Sequence, residues 1–262
     1  MEQRHFVLVH GACHGAWCWY KIQPLLEAAG HRVTVLDMAG AGVHRKAIQE
    51  VKSLEEYSEP LLKTMACVGP NEKVILVGHS FGGMSLALAM EKFPHNISAS
   101  VFLTALAPDT HHHPSYVSEQ FLESLPKEFW MDTQSCGYEN RVDDEASSSY
   151  FLFGPKCMAN FIYHLSPSED LALGKSLVRP GSLLVEELAK AEKFTEENYG
   201  SVKKVYVICG EDKTIPKHFQ KWMIQNYGIQ NVMEIEGADH MPMFSKPLQV
   251  LQCLLQVAHN FT

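Results

Sequence analysis

The sequence has no apolar stretch of bilayer-spanning length, no C-x-x-C pair, no basic stripe and no internal repeat, and each absence removes a class of function. Crossing hydrocarbon takes about 20 consecutive apolar residues. The opening run Phe6–Val9 is far shorter, and too short even for the core of a signal peptide, so a soluble cytoplasmic protein is expected. Seven cysteines, Cys13, Cys18, Cys67, Cys136, Cys157, Cys209 and Cys253, are odd in number and scattered, which suits reduced thiols rather than a disulfide frame. With 30 acidic residues against 22 basic ones the formal net charge is −8, and no block of Lys or Arg could follow a phosphate backbone; nucleic acid is not expected as a partner. The run His111-His112-His113 reads as a solvated loop, and no spacing of histidines and carboxylates matches a metal site. Neither metal nor cofactor is expected.

What is present is a 262-residue chain, 46% apolar, enough for one large α/β domain or a domain carrying an insert. Short β-branched runs recur at 5–10, 32–37, 73–78, 98–105, 203–209 and 231–237 and predict strands. Stretches of helical spacing lie between them, at 19–30, 53–65 and 85–93, with Ser53 and Glu56 spaced as a capping box. Alternating strands and helices imply a mostly parallel sheet with helices on both faces, because near-continuous apolar strands must be covered on each side. Between about 105 and 203 the alternation stops. A polar DTHHHPSY gives way to irregular sequence and then to the helical segments GPKCMANFIYHL, SPSEDLALGKSL and SLLVEELAKAEKF. Long inserts of this kind serve as lids. The expected division is a core of 1–108 and 196–262 with a lid at 109–195.

Residues 74–83 read VILVGHSFGG: a buried-strand pattern, a serine among glycines, then a helical run. In a G-x-S-x-G nucleophile elbow the serine occupies a strained strand-to-helix turn, and glycines remove the Cβ atoms that would clash where the chain reverses. Ser80 is thereby the candidate nucleophile. A hydroxyl is a poor nucleophile alone, so a base and an orienting carboxylate must follow in the order Ser, Asp, His. GEDKTIP supplies Glu211 and Asp212 after one strand, and GADHMP supplies His240 after the last. Asp239, beside His240, reads as a turn-forming carboxylate. In an open α/β sheet these loops gather at the carboxyl edge, where the elbow also lies. An oxyanion hole needs the amide after the serine, that of Phe81, and one from the loop after an early strand, for which Ala12 in VHGACHG is the candidate. His10 and His14 are assigned loop-stabilising hydrogen bonds.

The stretches HFVLVHGACHGAWCWYKIQPLLEAAGH, EKVILVGHSFGGMSLALAMEKFP, LVRPGSL, YGSVKKVYVI, EDKTIP and GADHMPM extend over nearly the whole chain, and together resemble the plant methylesterase/hydroxynitrile lyase family of α/β-hydrolases. The resemblance implies an α/β-hydrolase fold with a helical lid, often a homodimer, hydrolysing methyl esters of small signalling or alkaloid acids. It also implies Asp212 rather than Glu211 as the orienting carboxylate, and Trp130 as a wall of the acyl pocket. Cyanohydrin-cleaving relatives carry Thr where this chain has Gly11 and Lys where it has Met241, so these two positions favour the esterase pattern. A decarboxylating branch replaces the nucleophile that Ser80 retains. Adjacency to the triad makes Met241 and Phe81 further expected wall residues.

Overall fold

A computed structural model describes residues 2–136 and 149–261. All six runs singled out for their branched apolar residues form strands: β1 (His5–Val9), β2 (Arg32–Leu36), β3 (Val74–His79), β4 (Ile97–Leu103), β7 (Lys204–Cys209) and β8 (Asn231–Ile235). They pair in the order β2-β1-β3-β4-β7-β8, every neighbour parallel. Two further short strands, β5 (Gln134–Cys136) and β6 (Tyr150–Leu152), pair antiparallel inside the insert. The pleat sorts each strand between two cores. Val7 and Val9 of β1 enter one apolar cluster with Leu76, Phe102 and Tyr206, while Phe6 and Leu8 enter the other with Ile75, Val77 and Val101. Each such side chain contributes about 1.5–3 kcal/mol through burial, and only a sheet covered on both faces collects it from consecutive residues.

The strand order makes the site. After β1 the chain adds β2 on one side and then returns to place β3 on the other, so the loops leaving β1 and β3 diverge and open a crevice between them. Register keeps the carboxyl ends level: Val9 pairs with Gly78, His79 with Leu103, Leu103 with Val207 and Cys209 with Ile235. The loops holding residues 10–15, 80–81, 104–106, 210–215 and 236–241 therefore leave one edge of the sheet.

Helices Ile22–Ala28, Leu54–Tyr57, Glu59–Ala66 and Gly82–Lys92 occupy the stretches of helical spacing. The capping box is half formed. Ser53 Oγ accepts from the Glu56 amide at 3.1 Å, but the Glu56 carboxylate accepts from the Lys52 amide at 3.1 Å rather than from that of Ser53. The insert holds helices Ser115–Ser124, Ser168–Leu177 and Val185–Leu188 and a wide turn, Met158–Ile162, with i to i−5 hydrogen bonding. The six cysteines with described side chains, Cys13, Cys18, Cys67, Cys157, Cys209 and Cys253, are free thiols; the side chain of Cys136 lies outside the described residues. Among the described residues no helix is long and apolar enough to cross a membrane.

Candidate active site

Ser80 sits between the end of β3 and the helix Gly82–Lys92 with φ of 54°, a left-handed conformation that a non-glycine residue holds only when its surroundings impose it. Its surroundings do. The elbow is pressed so closely onto its neighbours that a Cβ on Gly82 would lie 2.7 Å from the His10 carbonyl oxygen, and one on Gly83 2.0 Å from that of Leu106. The two glycines are what let the serine turn pack against the loops of β1 and β4.

The structure brings Ser80, His240 and Asp212 into one hydrogen-bonded chain. Ser80 Oγ lies 3.1 Å from His240 Nε2, and His240 Nδ1 lies 2.7 Å from Asp212 Oδ2. With Nδ1–H donating to the carboxylate, Nε2 is left as the acceptor facing the serine hydroxyl. Asp212 is 4% exposed, and its remaining capacity is filled: Oδ1 accepts from the amides of Thr214 and Ile215 at 2.7 and 2.9 Å, and Oδ2 from Thr104 Oγ1 at 2.5 Å. Glu211, one residue earlier, faces solvent. The distinction between the two carboxylates, which the loop sequence leaves open, follows from the turn that buries one and exposes the other.

The loop after β1 runs against the elbow. A Cβ on Gly11 would stand 2.7 Å from Ser80 Cβ and 3.2 Å from Ser80 Oγ. Among the described residues, no protein group accepts a hydrogen bond from the amide of Ala12 or from that of Phe81. His10 and His14 hold this loop. His10 Nδ1–H donates to the Gly11 carbonyl at 2.8 Å and its Nε2 accepts from the Met38 amide at 3.0 Å. His14 lies 2.9 Å from the Ala12 carbonyl through Nδ1 and 2.6 Å from the Tyr163 hydroxyl through Nε2. Burial pushes His14 down to about 3 and lowers His10, so both are neutral at neutral pH. His79 donates through Nε2–H to the His240 carbonyl at 2.6 Å, and burial takes its basicity well below the ordinary range.

A cavity opens beside Ser80, lined by Gly11, Ala12, His79 and His240 and walled by Trp130 and by aromatic and branched side chains of the insert. Trp130, the wall residue expected by resemblance, is there. Met241 and Phe81 are not: both side chains are buried in the two cores, Phe81 packing on Tyr57 at 5.6 Å between ring centroids. Phe81 caps the following helix and turns its ring into the core, while the Met241 amide bonds to Asp239 Oδ1 at 3.0 Å and directs its side chain inward. Sequence reasoning missed Thr104, whose only signal was a hydroxyl just past the end of β4, the walls Phe121, Phe151 and Phe153, which lie in stretches with no clear period, and Leu183, at the start of a segment read only as helical. His111–His113 are exposed, with His112 paired to Asp109 at 2.7 Å. A roomier cleft lies elsewhere, lined by Asp109, Glu196, Tyr199 and Lys204 among others, and contains none of Ser80, Asp212 or His240.

A serine elbow on the carboxyl edge of a parallel sheet, at a point where strand order reverses, is the architecture of an α/β-hydrolase. The model of the alpha/beta hydrolase fold family matches residues 4–247, and the chain belongs to that family. Within it, several similar plant proteins are named as esterases. The chain is 53% identical over 260 residues to salicylic acid-binding protein 2 of Nicotiana tabacum, covering 99% of each sequence. It is 52% identical over 261 residues to methylesterase 1 of Arabidopsis thaliana, covering 99% of this chain and 98% of that protein. The crystal structure of polyneuridine aldehyde esterase superposes with a TM-score of 0.93 at 48% identity, covering 98% of this chain and all of the other.

Proposed function

We propose that this protein is a serine carboxylesterase that hydrolyses methyl esters of small plant metabolites, with Ser80, His240 and Asp212 as its triad. The observation that carries the reading is the hydrogen-bonded chain from Asp212 through His240 to Ser80, ending in an apolar cavity. Relatives named methylesterase and polyneuridine aldehyde esterase, at about half identity over the full length, support the substrate class.

In the proposed mechanism His240 Nε2 takes the Ser80 proton as Oγ attacks the ester carbonyl, and Asp212 holds the imidazole and stabilises the imidazolium. The amides of Ala12 and Phe81 receive the oxyanion, an arrangement whose individual donors are each worth about 100- to 1000-fold in rate. His240 returns the proton to the methoxy oxygen, methanol leaves, and water repeats the sequence on the acyl-enzyme. Gly11 and Trp130 bound the acyl group, and residues 109–195 act as the lid. A cytoplasmic homodimer taking only small-molecule substrates completes the proposal.

The test is turnover of wild type and Ser80→Ala on a panel of methyl esters and on mandelonitrile. Ester hydrolysis that disappears in a folded Ser80→Ala variant is expected. Mandelonitrile cleavage without ester turnover would make the protein a lyase, and tight binding with negligible turnover would make it a receptor.

A further inference from the structure

The triad and oxyanion residues stand on four loops from different strands, and one short stretch of the insert touches three of them, those after β1, β7 and β8. In 161–166, the Phe161 carbonyl accepts from Thr214 Oγ1 at 3.3 Å, and the Thr214 amide in turn donates to Asp212 Oδ1 at 2.7 Å. The Tyr163 hydroxyl reaches His14 Nε2 at 2.6 Å, with the two rings stacked at 5.8 Å. His14 Nδ1–H donates to the Ala12 carbonyl at 2.9 Å, so this contact ends on the oxyanion loop. The Leu165 amide and Ser166 Oγ both donate to Asp239 Oδ2, at 3.0 and 2.8 Å.

Asp239 is the centre of the arrangement. Its carboxylate is fully buried and takes four hydrogen bonds, two from the insert through Oδ2 and two through Oδ1 from the Met241 amide at 3.0 Å and Ser245 Oγ at 2.8 Å. The residues on either side of His240 are thus fixed by one carboxylate, half of whose partners belong to the insert. A buried carboxylate left without its donors is costly, and hydrogen bonds to a charged acceptor are stronger than those between neutral groups. This segment cannot lift away like a flap without exposing that cost.

We propose that residues 161–166 are a clasp that stays seated during turnover and sets the geometry of the catalytic loops, with Asp239 and Tyr163 as positioning residues: Asp239 acts through His240, and Tyr163 acts through His14 on the Ala12 amide. Access for substrate then falls to the other walls of the insert. The proposal rests on the esterase reading above.

The two arms of the clasp predict different kinetic signatures. A methoxide leaving group needs a proton from His240 as it departs, whereas 4-nitrophenolate leaves without one, so misplacing His240 penalises a methyl ester more than its 4-nitrophenyl counterpart. Misplacing an oxyanion amide penalises both alike. The experiment measures kcat/KM for both esters in wild type, Asp239→Asn, Ser166→Ala and Tyr163→Phe, each normalised to active sites titrated with a fluorophosphonate. Asp239→Asn is expected to lose about 30- to 100-fold on the methyl ester and about tenfold less on the nitrophenyl ester. Ser166→Ala, which removes one donor and serves if Asp239→Asn does not fold, is expected to show the same selectivity at about three- to tenfold. Tyr163→Phe is expected to lose about tenfold on both. Values per active site within twofold of wild type in the folded variants, with only the melting temperature lowered, would overturn the proposal. Wild-type turnover on the same esters reads the esterase assignment separately.

Discussion

The two cavities make opposite use of polar groups. The cleft near Lys204 is roomier than the cavity beside Ser80, yet its half-buried amine is spent on structure. Lys204 Nζ donates to the carbonyls of Tyr199 and Gly200 at 2.8 and 3.2 Å, closing the end of the turn Glu196–Gly200, and lies 4.3 Å from the Tyr199 ring centroid. Burial brings that amine down to about 8. At the smaller cavity the hydrogen bonds run in sequence from carboxylate to imidazole to hydroxyl, and the chain ends on an oxygen that faces open space. Convergence of matched donors and acceptors on a reacting atom, rather than volume, marks a site.

The largest effect that would test this contrast is at Asp212. Asp212→Asn keeps the shape but no longer fixes the His240 tautomer, and kcat is expected to fall about 10⁴-fold, while solvent-facing Glu211→Gln stays within about twofold. Steady-state kinetics on a methyl ester decides it, and the reverse ranking would reassign the orienting carboxylate. Next comes Gly11→Thr. A Cβ there already meets Ser80 Cβ at 2.7 Å, so a branched side chain must push the elbow or the oxyanion loop out of line, with a loss of about 100-fold in kcat/KM in a variant whose circular dichroism is unchanged. Met241→Lys is a poorer probe than its place after His240 promises, because the side chain is fully buried in the core and a lysine would mainly cost stability.

The buried histidines give a smaller effect, on stability. His10, His14 and His79 are depressed by burial and remain neutral in the fold, whereas the unfolded chain protonates them below about 6.5. The unfolded state therefore binds more protons as pH falls under that value, and their contribution, complete above about 6.5, is lost on going toward the folded value, about 3 for His14. Calorimetry between pH 7 and 5 should show the unfolding temperature falling, each such histidine costing up to about 1.4 kcal/mol per pH unit. A His14→Gln variant should show a shallower fall. The smallest effect belongs to the larger cleft: Lys204→Met is expected to leave kcat/KM within about twofold while lowering thermal stability, since what it removes is a cap on a turn. A catalytic loss comparable to that of Gly11→Thr would show that the cleft takes part in the reaction.

The sequence by itself determined the six strands of the main sheet, their parallel arrangement and the residues that meet at its edge, but not the short antiparallel pair inside the insert. These depend on short-range patterns: apolar β-branched runs, a glycine-flanked serine, and loops that must leave the carboxyl ends of parallel strands. Tertiary structure alone decided what depends on orientation. One turn buried Asp212 and exposed Glu211, Thr104 reached that carboxylate from another strand, and Asp239 proved to bind the insert as well as its own turn. Phe81 and Met241 stand next to the triad in sequence yet turn into the cores, while Phe121 and Phe151 wall the cavity from far along the chain. Neighbours in sequence share a backbone position but not a direction. The direction of a side chain is set by the dihedral angles of its turn and by the contacts it gains on packing, and a pattern of residue types carries neither.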